Sequence, residues 1–186
     1  MSAPSRIPYD ELPPELQTRL EARVRRLGYL GEFFQVAAHQ PTALAAFIDY
    51  TEALKESLPD RLVETIALSI ASATDNAYER VQHERLALKI GMPEPQVRAL
   101  VTGSASSLDG FDELELAAIE LSREVLAAGG RSCAASYRRV AARSDDVTAV
   151  GCLMCAVRYL AHSTMSNTWG LVAPGKSPLA EKTAHA

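Results

Sequence analysis

Apolar residues recur at the helical spacing along almost the whole chain, and almost no segment alternates as a β-strand does. Pro, Asp, Asn and Gly stand where helices are expected to begin or end. We therefore predict helices over residues 13–27, 32–39, 41–57, 60–73, 77–90, 93–101, 112–128, 132–142 and 145–165. The fold class is all-α, with one compact helical domain over residues 1–170. Residues 171–186 are predicted to be a C-terminal tail that is mobile or lies on a neighbouring subunit.

One predicted helix carries a carboxylate and an imidazole in line with its apolar side. Glu79 and His83 stand four residues apart, so they lie one above the other on one helix face. Leu86, Ala87 and Ile90 continue that face. Burying such polar groups costs free energy unless they pair with each other or with a third group.

The preceding helix offers that third group. Residues 62–73 are apolar nearly all round, and Glu64 is their only charged residue. Two carboxylates and one histidine are therefore expected to meet in the interior, where each perturbs the pKa of the others. A glutamate of raised pKa and a carboxylate-oriented imidazole can both transfer protons near neutral pH.

This arrangement resembles the carboxymuconolactone decarboxylase family, which includes the alkylhydroperoxidase D-like proteins. The resemblance rests on Glu64 followed by residues 76–83 (NAYERVQH) and 86–91 (LALKIG), and it extends over most of the chain. Residues 58–64 resemble the family's entry to its core helical hairpin, and residues 111–114 resemble its next helix. The expected fold is that helical hairpin with flanking helices.

The two redox thiols of the family's peroxidase branch are missing here. That branch carries a CxxCxxxH motif, and Asn76 and Glu79 occupy the two cysteine positions. His83 and the upstream Glu64 are kept. An amide and a carboxylate cannot form a disulfide or a sulfenic acid, so the chain resembles a thiol-free branch without that peroxidase activity.

The resemblance and the acid/base groups together predict an enzyme that acts on a small organic acid or lactone by decarboxylation or isomerisation. Such proton transfer to carbon needs no metal and no organic cofactor. His83 and Glu79 are expected to form the acid/base pair, and Glu64 to hold His83 or relay protons to it. Asn76 and Tyr78 are predicted to donate hydrogen bonds to a substrate oxygen.

Each feature also has a purely structural interpretation. Glu79 and His83 could be a buried ion pair that ties two helices together, Asn76 a helix N-cap, and Tyr78 a pocket wall or subunit contact. The protein would then be a non-catalytic helical oligomer that binds a small ligand or a protein partner. A third hypothesis is a thiol peroxidase that uses Cys152 and Cys155, although both lie in an apolar run and are predicted to be core.

The composition and charge of the chain limit the kinds of partner that it is expected to bind. A net charge of -4 and the lack of a long basic or apolar run argue against binding to nucleic acid or a membrane. Three cysteines do not form a disulfide framework, and no signal peptide is evident, which favours a cytoplasmic location. The histidines lack ligand spacing, so no metal site is expected. Two nearly all-apolar helices favour a homo-oligomer, and the family resemblance implies a trimer or hexamer.

Overall fold

The computed structural model describes residues 4–103 and 108–180, and over these residues the chain forms α-helices and no β-strand. The helices are α1 (Pro14–Leu27), α2 (Glu32–Ala37), α3 (Pro41–Ser57), α4 (Asp60–Ala73), α5 (Ala77–Lys89), α6 (Glu94–Thr102), α7 (Glu113–Ala128), α8 (Ala134–Ala141) and α9 (Asp146–Thr168). The predicted all-α class is confirmed. No helix in these two ranges is long and apolar enough to cross a membrane.

The helices end where the sequence provides groups that satisfy free backbone atoms. Asp112 and Asp145 cap α7 and α9 with their side chains, each accepting a hydrogen bond from an amide in the first turn. Gly28 and Gly129 follow α1 and α7 in the left-handed conformation, with φ of 79° and 56°. These local signals explain why the predicted boundaries fall close to the observed ones.

Helix α4 is the centre of the domain. Every residue from Leu62 to Ala71 is buried, because α5, α6, α7 and α9 pack around it. Gly151 of α9 packs against Leu58, just before α4, where a Cβ atom on residue 151 would lie 2.9 Å from the Leu58 side chain. Glu64 is consequently held in the interior, as its position in an apolar helix predicted.

A second apolar core joins the N-terminal helices to the rest of the domain. Leu16 and Leu20 of α1 and Phe33 of α2 pack there with α3 and with the ring of Tyr78 from α5. Helix α5 therefore lies between two cores, with α4 on one side and the N-terminal helices on the other. The polar side chains of α5 therefore lie where the two apolar cores meet.

The described part of the C-terminal tail lies on its own chain. The Ser177 hydroxyl donates a hydrogen bond to the buried Glu84, and Arg85 Nη2 donates to the Lys176 carbonyl at 3.0 Å. Leu179 is buried in the cluster around α5 and α6. This finding differs from the expected mobile segment or subunit contact, because Ser177 bonds Glu84 and Leu179 supplies an apolar anchor on the same chain. Residues 181–186 lie outside the described part.

Candidate active site

Helices α4 and α5 bring the three predicted acid/base residues together. Nδ1 of His83 donates a hydrogen bond to Oε2 of Glu64 at 2.7 Å, and Nε2 of His83 lies 3.6 Å from Oε2 of Glu79. The three side chains are no more than 8% exposed. An imidazole is thus held between two carboxylates, one in contact and one at a looser distance.

These two carboxylates set the charge of His83. Burial alone would lower the pKa of the imidazole, but Glu64 and then Glu79 raise it to about 9. His83 is therefore protonated at neutral pH. Since Nδ1 is bonded to Glu64, Nε2 is the nitrogen that can deliver a proton to a bound molecule.

Glu79 contacts a second histidine, which the sequence analysis did not include in the site. Nδ1 of His162, on α9, lies 2.7 Å from Oε2 of Glu79, without the alignment of a hydrogen bond. Burial lowers the pKa of His162 to about 4 although Glu79 opposes this, so the ring is neutral at pH 7. Burial raises the pKa of Glu79, yet His162 and His83 bring it well below its ordinary value. The result is a row of alternating groups: Glu64, His83, Glu79 and His162.

The row borders a cavity of about 320 Å³ between α1, α2, α3, α5 and α9. Glu79, His83 and His162 line this cavity, whereas Glu64 lies behind His83 and is not part of the wall. The position of Glu64 fits a group that holds the imidazole and sets its protonation. The side chains that can contact a substrate in the cavity are those of Glu79, His83 and His162.

The wall of the cavity carries many more positive charges than negative ones. Glu79 is its one carboxylate within the described residues. Besides His83, six arginine and lysine side chains line the same space: Arg23, Arg26, Lys55, Arg85, Lys89 and Arg158. The electrostatic balance favours an anionic ligand.

Asn76 is placed away from the cavity. Its Oδ1 accepts a hydrogen bond from the Glu79 amide at 2.8 Å, and its Nδ2 donates to the Ser163 carbonyl at 3.1 Å. Both ends of the amide are therefore used to start α5 and to tie it to α9. The N-cap interpretation is confirmed, and the predicted bond from Asn76 to a substrate oxygen has no support, because the side chain does not reach the cavity.

Tyr78 lines the cavity but its hydroxyl is engaged within the fold. The hydroxyl accepts a hydrogen bond from the Phe33 amide at 3.1 Å, and a Cβ atom at Gly31 would lie 3.0 Å from it. Burial raises the pKa of this hydroxyl, although the Phe33 amide opposes the rise. Tyr78 is therefore a wall of the pocket, as the structural interpretation of this residue predicted.

The cysteines stand apart from this site. Cys152 and Cys155 are buried in the core around α4, and neither lines the cavity. Burial raises the pKa of Cys152 to about 11 and that of Cys155 to about 12. Cys133 is buried as well. Thiols with such pKa values are almost entirely protonated at neutral pH and react slowly.

The sequence predicted no metal site, and this stays a prediction. Among residues 4–103 and 108–180, no three His, Cys, Asp or Glu side chains are grouped so that they could hold a metal ion. Within the row, Glu64 and His83 share a hydrogen bond, and Oε2 of Glu79 lies 3.6 Å from His83 and 2.7 Å from His162.

Comparison with known proteins identifies a matching family. A model of the carboxymuconolactone decarboxylase family matches residues 41–124, the part of the chain that contains Glu64, Glu79 and His83. The predicted resemblance to that family is confirmed over these residues. The sequence matches no curated protein.

Several solved structures share the fold. An uncharacterized peroxidase-related protein from Ralstonia eutropha, described as an alkylhydroperoxidase AhpD core, has 19% identity and a TM-score of 0.75, over 93% of this chain and 90% of that one. A peroxidase-related protein from Silicibacter sp. has 16% identity and a TM-score of 0.78, over 94% and 93%. The debrominase Bmp8, solved with 2,3,4-tribromopyrrole, has 17% identity and a TM-score of 0.66, over 88% and 86%. At these identities the likeness shows the helical fold alone.

Two residues that sequence reasoning missed lie on α9. His162 and Arg158 are four residues apart in the most apolar predicted helix, and both face the cavity. The same signal that identified Glu79 and His83, two ionisable groups at helical spacing in an apolar setting, was present there.

Proposed function

We propose that this protein is an acid/base enzyme that acts on a small organic acid or lactone, by decarboxylation or isomerisation. The observation that carries the proposal is His83, protonated between two carboxylates, in the wall of a cavity lined by cationic side chains. The row of groups fits proton delivery to carbon, which is the step that both reactions share.

In the proposed decarboxylation, the bond between the ring carbon and the leaving carboxylate breaks and carbon dioxide departs. The electron pair moves into the conjugated system toward the lactone carbonyl. His83 then gives its Nε2 proton to carbon, and Glu64 stabilises the imidazolium before this step and holds the ring during it. Solvent returns the proton to His83. In an isomerisation, Glu79 would first remove a proton from carbon and His83 would return one elsewhere.

The test is carbon dioxide release from a carboxylated muconolactone by the wild type, by His83→Ala and by His39→Ala. His39 is an exposed histidine outside the cavity and serves as the matched control. The proposal expects release by the wild type and the control and none by His83→Ala, with the melting temperature recorded for each. Absence of release from all three across a panel of unsaturated lactone acids would contradict it.

A second proposal, from another class, is a non-catalytic ligand-binding protein. An apolar cavity of about 470 Å³ between α2, α3 and the end of α9, lined by Phe33, Phe47 and Trp169 among others, favours this alternative. In that case the row around His83 is structural, and removing His83 would leave buried carboxylates unpaired at a cost of roughly 3–5 kcal/mol. A melting temperature that collapses in His83→Ala, with no turnover in the wild type, would support it.

We also propose that the chain forms a homo-oligomer in the cytoplasm. An exposed apolar stripe along α9 supports the assembly: Val147, Val150, Met154 and Val157 recur at three- and four-residue spacing on one side of the helix. A sedimentation mass equal to that of one 20.1 kDa chain at micromolar concentration would contradict this assembly.

A further inference from the structure

The strongest observation outside the acid/base row is a buried arginine without a charge partner. Arg158 of α9 is 5% exposed and lines the cavity. Its Nε donates to Oγ1 of Thr51 at 2.8 Å, and within the described residues it forms no ion pair and no other hydrogen bond. A buried guanidinium that lacks an anion is costly, and proteins usually supply a carboxylate to it.

The surroundings of Arg158 hold its guanidinium in one orientation. The guanidinium carbon lies 4.4 Å from the centre of the Tyr159 ring and 4.9 Å from that of Phe47. With Nε fixed by Thr51, the two terminal nitrogens are the donors that remain. A planar pair of N–H donors fits the two oxygens of a carboxylate.

Nearby cations add to the positive potential around Arg158. Among the described residues, no carboxylate pairs with Arg158 to neutralise it. Arg23 and Lys55 line the same part of the cavity and share Glu52, at 2.8 Å and 3.5 Å. That carboxylate is about half exposed and reaches the cations rather than Arg158. An anionic ligand would therefore remove repulsion between three like charges.

The position of Arg158 relative to His83 suits one small molecule. The Tyr159 ring contacts the guanidinium on one side and lies 5.0 Å from the His83 ring, centre to centre. Arg158 and His162 are also separated by one helical turn. A ligand whose carboxylate sits on Arg158 can thus present its other end to His83.

We propose that Arg158 is the anchor for a substrate carboxylate that is retained in the reaction, and that Arg23 and Lys55 strengthen this anion site. The substrate is then an organic acid with a charged group separate from the atom that His83 protonates. This inference deepens the proposed function and rests on it for the reaction, but the binding of the anion can be measured without turnover.

The experiment measures binding of muconate monomethyl ester, which has one carboxylate, by calorimetry and by thermal shift. The dimethyl ester and inorganic phosphate serve as parallel ligands. Variants are Arg158→Gln, Arg158→Lys, and the matched control Arg98→Gln, an exposed arginine that pairs with Glu94 and does not line the cavity. His83→Gln tests the acid/base row separately.

The proposal expects at least a tenfold weaker Kd in Arg158→Gln, an intermediate loss in Arg158→Lys, and less than a threefold change in Arg98→Gln. The dimethyl ester should not bind the wild type. Without ligand, Arg158→Gln should melt at the same temperature as the wild type or higher, because a structural arginine would lower it. His83→Gln should keep binding even if it lacks turnover, which separates this inference from the proposed function.

Three results would overturn the anchor. One is equal binding of the monoester by Arg158→Gln and the wild type. Another is equal affinity of phosphate and the monoester, which would indicate a general oxyanion site. The third is a lower melting temperature of both Arg158 variants without any change in Kd, which would make the residue a packing element.

Discussion

Replacing Glu64 by glutamine should make the His83 imidazole neutral at pH 7.5. Glu64 is the carboxylate in direct contact with His83, at 2.7 Å, and glutamine keeps the shape and an acceptor oxygen but removes the charge. The change therefore tests the electrostatic role of Glu64 with little change in packing.

The magnitude follows from the pKa of His83. A rise from 6.5 to about 9 corresponds to about 3 kcal/mol in favour of the imidazolium, and this is the balance left after burial has acted in the opposite direction. Without the Glu64 charge, burial lowers the pKa of His83 and only the charge of Glu79, 3.6 Å away, raises it. We expect the pKa of His83 to fall by at least two units, roughly 3 kcal/mol, and by less in Glu79→Gln.

The assay is an NMR titration of the histidine ring signals in the wild type, Glu64→Gln and Glu79→Gln. His83→Ala assigns the signal, and Asp49→Asn, an exposed carboxylate paired with Arg19, is the control that should shift nothing at His83. If the pKa of His83 stays near 9 in Glu64→Gln, or falls further in Glu79→Gln, the explanation from distance and charge is refuted.

Three further predictions concern stability and the thiols. The pKa of His83 is higher in the folded than in the unfolded state, so the stabilisation from its charge is complete below about pH 6.5 and is lost as pH rises through about 9. The free energy of unfolding, measured by urea denaturation, should therefore fall by about 3 kcal/mol over that range. In His83→Ala it should remain flat. Asn76→Ala should cost about 2 kcal/mol, more than Asp145→Ala, because Asn76 both caps α5 and bonds the Ser163 carbonyl. Cys152 should react with iodoacetamide at least about a hundredfold more slowly in the native than in the unfolded state, since its pKa is raised to about 11.

Each of these has a clear contrary result. A pH-independent stability of the wild type between pH 6.5 and 9 would mean that His83 is not held as an imidazolium. Equal costs for the two cap variants would mean that the bond between α5 and α9 adds nothing. Rapid native labelling of Cys152 would return the thiol hypothesis to consideration.

Local patterns were sufficient for most of the fold. Pro41, Asp112 and Gly28 mark helix ends because their backbone or side-chain chemistry acts within one turn. The i, i+4 placement of Glu79 and His83, with Glu64 on an apolar helix, predicted the centre of the row because two of its members share one helix. These features depend on neighbours in sequence.

The remaining features depend on contacts between distant segments. His162 reaches Glu79 only when α9 packs beside α5, and no local pattern places those helices together. Ile90 was expected on the buried face, but α5 ends before it and the side chain is 40% exposed. The contacts of residues 176–179 with α5 likewise join distant segments, through the hydrogen bond from Ser177 to the buried Glu84 and the packing of Leu179.

The central claim is that His83 delivers the proton, and the pH dependence of kcat/KM for a carboxylated muconolactone tests it most directly. The account predicts a rate that falls with a single deprotonation near pH 9 in the wild type, and a fall that moves to lower pH in Glu64→Gln together with the pKa of His83. A decline at the same pH in both proteins, or a rate that rises as His83 loses its proton, would contradict it.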